Sequence, residues 1–259
     1  MFESDWRRFL LRQILLTALI SVFVLACGDS SDEAGLPFVA EPDMAITSDF
    51  STDIEPSDSS MISATAAARF KLLDPVTGRG VNGVTVSVGT QESVTDSQGE
   101  AEVVLPEGPY AVRLFKTGVR VHTIYGVSAG VAFEQASYFS SERITGLVFG
   151  SLGIADDPDA GIVVVGLDLP SLAPAVGASA SLDLASDPPF VLGPAGAAPG
   201  STIAQGQLGF VSFPNTEVGT ATVSVNYPQG GCAVFPSESG APELVVAAGE
   251  VSIVAYTCR

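Results

Sequence analysis

Between residues 68 and 139 the chain meets turn chemistry roughly every 8–12 residues, which limits it to short strands. Ala68–Leu73 opens the series and stops at Asp74-Pro75, with a turn through Thr77-Gly78. Val84-Thr85-Val86-Ser87-Val88 alternates apolar and polar residues, so one face of that strand is buried. A short strand about Ser93-Val94-Thr95 leads into Asp96-Ser97-Gln98-Gly99, where Asp and Gly suit a tight hairpin turn. Ala101–Leu105 returns, Pro106-Glu107-Gly108-Pro109 turns, and Tyr110–Phe115 runs back. Val119–Tyr125 and Val131–Phe139 complete about seven strands. Long helical periodicity is missing, and Lys71 and Lys116 are the only lysines, so helix is expected to be scarce. The expectation is an all-β fold built as a sandwich.

The order and spacing of Thr77-Gly78, Gly83-Val84-Thr85-Val86, Thr95–Gly99 and Leu105–Tyr110 resemble a carboxypeptidase regulatory-like domain. The resemblance implies a transthyretin-like, seven-stranded β-sandwich over residues 62–140. Members of that family are non-catalytic accessories, so it implies no peptidase activity. Residues 141–259 read as a second, diverged copy, giving two tandem transthyretin-like or Ig-like sandwiches. Asp159–Val165 parallels Val81–Ser87, Gln205–Pro214 parallels Gln98–Pro106, and Ala247–Ile253 parallels Ser128–Phe133. The second copy carries a Pro-, Ala- and Gly-rich insertion at about 168–204, read either as a flexible surface loop or as a functional one.

The first 26 residues carry a different signal. Arg7, Arg8 and Arg12 precede an uncharged run from Ile14 to Ala26, which as a helix is roughly 20 Å long against a hydrocarbon core of about 30 Å. That length suits a secretory signal rather than a membrane span. Val24-Leu25-Ala26-Cys27 resembles a bacterial lipobox, which implies cleavage after Ala26 and lipidation of Cys27. Residues 27–61 read as a disordered acidic linker: Pro, Ser and Asp abound, and between 28 and 60 there is no basic residue. The formal net charge of −18 repels phosphate, so nucleic-acid binding is excluded. Charge will not hold the chain to an anionic membrane either, so attachment has to come from the lipid. The expected location is the bacterial cell envelope, with the outer membrane as default.

Chemistry is thin. In an oxidising compartment Cys232 and Cys258 suggest a disulfide, closing a loop worth roughly 3–3.5 kcal/mol. His122, the single histidine, is placed by the alternation Val119-Arg120-Val121-His122 on the polar, solvent face of its strand. Asp156, Asp157 and Asp159 form an acidic turn; as Ca²⁺ ligands they lack EF-hand spacing and read as solvated carboxylates. No catalytic residue and no cofactor is indicated, and no nucleophile elbow or zinc motif is present. The chain thus reads as a non-enzymatic, membrane-anchored envelope lipoprotein serving as a structural, adhesive or scaffolding module. The alternative is a carbohydrate- or peptide-binding surface module; a hydrolase would require polar groups converging on His122.

Overall fold

The computed structural model describes residues 65–193, 196–237 and 242–259. The signal segment, Cys27 and the whole of the acidic linker lie outside the described residues. The described chain is all-β, with one helix. Its strands are β1 (Thr65–Leu73), β2 (Thr85–Val88), β3 (Gln91–Val94), β4 (Glu100–Pro106), β5 (Gly108–Phe115), β6 (His122–Ser128) and β7 (Phe133–Tyr138). Helix α1 (Glu142–Leu152) follows, then β8 (Gly161–Asp168), β9 (Ser179–Leu182), β10 (Phe190–Gly193), β11 (Gly196–Pro199) and β12 (Phe210–Thr216). The series ends with β13 (Gly219–Ala221), β14 (Val223–Asn226), β15 (Cys232–Val234), β16 (Leu244–Val246) and β17 (Val251–Cys258).

Each of the seven strands expected before residue 140 is present, and turn residues set their ends. Asp74 caps its turn by accepting from the N–H groups of Val76 and Thr77. Asp96 does the same for Gln98 and Glu100, while Gly99 takes a positive φ of 77° that favours glycine. Strand alternation then sorts the side chains. Phe70 and Leu72 of β1, Val103 and Leu105 of β4, and Val112 and Leu114 of β5 all point into one core. On the outer face of β1, Arg69 and Lys71 pair with Glu134, Glu102 and Glu100 of the flanking strands.

Three strands, in the order β4-β1-β7, form one small sheet. It lies over a ten-stranded sheet running β11-β10-β12-β8-β17-β6-β5-β2-β3, with β15 beside the end of β17. Strands from both halves of the chain therefore share one sheet. The join is the parallel trio β6, β17 and β8, with His122 opposite Val251 and Val251 opposite Ile162. Two long-range ion pairs also cross it, Arg113 with Glu250 at 2.8 Å and Arg120 with Asp156.

Burial on both faces explains the apolar run Ile162-Val163-Val164-Val165. Ile162 joins the core beneath the small sheet and Val164 packs against it, while Val163, Val165 and Leu167 join a second core on the opposite face. The second face is covered by the pairs β13-β16 and β14-β9. Each such buried Val or Ile contributes about 1.5–3 kcal/mol.

Helix α1 falls where the boundary between the two copies was expected. Ser141 caps its start, accepting from the Ile144 N–H, and Gly153 ends it in the left-handed conformation at φ 70°. The Pro-rich stretch 168–204 is not a flexible loop. It supplies β9, which pairs with β14, and β10, which extends the large sheet beyond β12. Its apolar residues Ala175, Ala178, Phe190, Val191 and Ile203 are buried, and that burial holds the segment in place. The segments compared between the copies take different positions: β8, β12 and β17 are neighbours in the large sheet, whereas β4 and β7 flank β1 in the small one.

Candidate functional site

The two layers are not closed against each other along their whole length. Strand β7 is an edge strand of the small sheet, and a groove of about 870 Å³ opens between that edge and the large sheet. One wall is β7 from Glu134 to Tyr138; the other is α1, through Ile144, Val148 and Phe149. The floor comes from the central strands: Ile162, Val164, Gly166 and Asp168 of β8, with Val251, Ile253 and Ala255 of β17. Cys232–Ser237 line it as well. This volume is within the ~300–1,000 Å³ range of ligand sites, which are likewise mostly apolar with a few polar groups.

Two small residues set its depth. Gly166 and Ala255 are opposite each other on neighbouring strands. A Cβ on Gly166 would meet the Ala255 Cβ at an ordinary 3.4 Å, so the space above Gly166 is unfilled for reasons other than crowding.

The polar groups are sparse. Asp168 ends β8, half-buried, and burial raises its carboxyl to a pKa of about 7, with no hydrogen bond or ion pair from the described residues offsetting it. Gly209 makes room for it, since a Cβ there would collide with Asp168 Oδ1. Beside it stand Tyr138 and Phe210, ring centroids 5.4 Å apart, and the Asp168 charge adds to burial in raising the Tyr138 hydroxyl.

His122 is not a surface residue: it is 1% exposed and lines the groove. The expected parity failed because the strand starts at His122 itself; residues 116–121 are a turn and coil, and carry no alternation into β6. The ring packs on Phe139 at 4.5 Å, its Nδ1 is 2.9 Å from the Arg120 carbonyl oxygen, and Nε2 has no hydrogen-bond partner. A neutral ring with Nδ1–H donating to that carbonyl leaves a bare lone pair at Nε2. Burial lowers the pKa to about 4. Along the strand register His122 is two strands from Ile162, and Asp168 is six residues further on, roughly 20 Å away. The two groups cannot act on one atom.

Sequence reasoning missed Asp168, Tyr138 and Phe210, which share no motif and meet only through sheet order. The residues it did name are placed as follows. Cys232 and Cys258 form a disulfide between directly opposed positions of β15 and β17. The acidic turn disperses its charge locally: Asp156 pairs with Arg120, and Asp157 accepts from the Asp159 N–H at 3.0 Å. Among the described residues no group of three or more His, Cys, Asp or Glu side chains is placed to hold a metal ion. Cys27 lies outside the described residues.

No family model matches the chain, and no curated protein does either. Among solved structures it is similar to the Bacillus anthracis TIE protein, at 14% identity and a TM-score of 0.25. That match covers 75% of this chain and 34% of the other, so the chain spans about a third of that protein. It is similar to GBS52, the minor pilin of Streptococcus agalactiae, at 12% identity and TM-score 0.24, covering 75% of this chain and 96% of that one. The major pilin of Streptococcus pyogenes gives 7% identity and TM-score 0.24, covering 76% and 99%. Scores of this size leave most of each chain path unsuperposed, and the fold described above stands on its own strand pairing.

Proposed function

We propose that this chain is a non-enzymatic, lipid-anchored envelope module that holds a partner in the groove beside β7. The observation that carries the reading is the groove itself: about 870 Å³, open, mostly apolar, and walled by β7 and α1. Absence of a converging acid–base pair supports the non-enzymatic part, since His122 and Asp168 are held roughly 20 Å apart by the register. Anchoring rests on the sequence: the apolar run before Cys27 and the lipobox-like Val24-Leu25-Ala26-Cys27. The Cys232–Cys258 bridge accords with an oxidising compartment. In this reading residues 62–140 are a carboxypeptidase regulatory-like sandwich, and residues 141–259 a second sandwich that shares a sheet with it.

The test is calorimetric titration with dodecylammonium below its micelle concentration, using wild type and Gly166→Leu. A leucine there fills the floor without backbone strain, so binding should fall about tenfold or more, equivalent to about 1.4 kcal/mol. Equal binding by both proteins would show that the groove is not the site. For the anchor, Cys27→Ser should abolish incorporation of labelled fatty acid and release the protein from membranes.

A further inference from the structure

The groove has a feature that an apolar cavity for a small molecule does not need: one of its walls is the free edge of a strand. Among the described residues, strand β7 pairs with β1 only. The Phe139 N–H donates to the Leu73 carbonyl at 2.9 Å, which sets the alternation back along the strand. In a parallel pair every second residue bonds the neighbour, so Ser137 and Gln135 direct their N–H and C=O groups to β1. Those of Tyr138, Ala136 and Glu134 therefore point away from β1, on the side that opens on the groove. The opposite edge of the same sheet is treated differently. There the Gln91 carboxamide covers β4, donating to the Val104 carbonyl and accepting from the Val104 N–H, each at 3.3 Å. An exposed edge is a template for pairing that folds usually block. Here one edge is blocked, and the other is left open above an apolar floor.

We propose that the groove takes an extended peptide segment of a partner protein, added to β7 as a fourth strand of the small sheet, with a Lys or Arg of that segment set against Asp168. This rests on the groove being a binding site, as proposed above. The wall from Glu134 to Tyr138 is five residues long, roughly 16 Å, so the segment in contact spans about five or six residues. Its side chains alternate, one set outward and one set down onto the floor, where Gly166 and Ala255 leave room. Charge chooses the end group. Asp168 is a half-buried carboxyl group with no ion pair to another described residue, and the rings of Tyr138 and Phe210 line the groove with it, so a cation placed there meets both a carboxylate and aromatic faces. The formal net charge of −18 favours approach of a basic segment and opposes a second copy of the chain. Main-chain pairing supplies affinity in this mode, and the pockets supply specificity.

A randomised octapeptide display library, selected on the full chain and counter-selected on Gly166→Leu, tests this. Enriched sequences should alternate apolar residues with period two and carry Lys or Arg at one fixed position. Replacing that residue by Gln should weaken binding about tenfold, as should Asp168→Asn, the size of one charge-assisted contact. N-methylation of the peptide at alternate residues should abolish binding in one phase and spare it in the other. Should Gly166→Leu not fold, Ala255→Val fills the same space. Enriched peptides without a basic residue, or binding indifferent to N-methylation in both phases, overturn the proposal. Dodecylammonium bound while the library returns nothing also overturns it and leaves the groove as a small-ligand site; neither bound removes the groove as a site altogether.

Discussion

A buried histidine and a half-buried aspartate face the same groove and respond to pH with opposite sign. Asp168 holds its proton to a pKa of about 7 in the folded chain, against roughly 3.9 when unfolded. The native state therefore binds more protons between those values, and stability falls as pH rises through them. Tyr138, Glu134 and Arg259 line the same groove. Asp168→Asn is expected to melt about 2–4 °C above wild type at pH 8, with the advantage gone near pH 4, by thermal melts across pH. For His122 the folded value near 4 lies below 6.5, so the unfolded chain binds the proton first and stability is lost as pH falls from 6.5 to 4. Burial is the main cause; the Arg120 charge adds to it, the Arg120 carbonyl opposes it, and the Phe139 ring packs alongside. His122→Phe should flatten that acid limb. A third residue acts through its hydroxyl alone: Thr95 accepts from the Val84 N–H at 2.9 Å and donates to the Val81 carbonyl at 2.7 Å. Thr95→Val should cost about 1–3 kcal/mol in urea unfolding, since it orphans a buried N–H.

At the level of elements, the disulfide is the part most open to test. Cys232–Cys258 ties β15 to the end of β17, closing a loop with a sequence separation of 26. Cys258→Ser with Cys232→Ser should lose about 3 kcal/mol and leave the β6-β17-β8 pairing intact, measurable by denaturant unfolding and amide exchange. Elements were also where the sequence was most legible. The seven strands up to Tyr138 could be read because β1, β4 and β5 alternate cleanly and Asp, Gly or Pro turns punctuate the series. The same reading erred at His122 because it counted parity from Val119, through coil. It treated 168–204 as a loop because proline and glycine weigh heavily in local signals. Phe190 and Val191 are nonetheless buried, one in each core, through pairing with β12, a partner about twenty residues away. The candidate site could not be read at all. Asp168, Tyr138 and Phe210 are separated in the chain, and only the order of strands brings them together.

At the scale of the whole molecule, one long sheet serves both halves, and the parallel trio at its centre is buried on both faces. Residues 65–140 alone would expose Ile124 and His122 along the β6 edge, and residues 141–259 alone would expose Val251 and Ile253. The chain from 65 to 259 should therefore unfold in one transition, and either half expressed alone should not give a cooperative melt. The same architecture leaves the groove, because the small sheet and α1 lie on the same face of the large sheet and do not meet over its central strands. The most direct measurement is photo-cross-linking in cells that produce the full chain, with a benzoylphenylalanine at Ala136 on the groove wall and, as control, at Val104 on the blocked edge. The account predicts a discrete adduct from position 136 that is lost when Gly166→Leu is added, and no adduct from position 104. Equal adducts from both positions, or an adduct at 136 that survives Gly166→Leu, would contradict it.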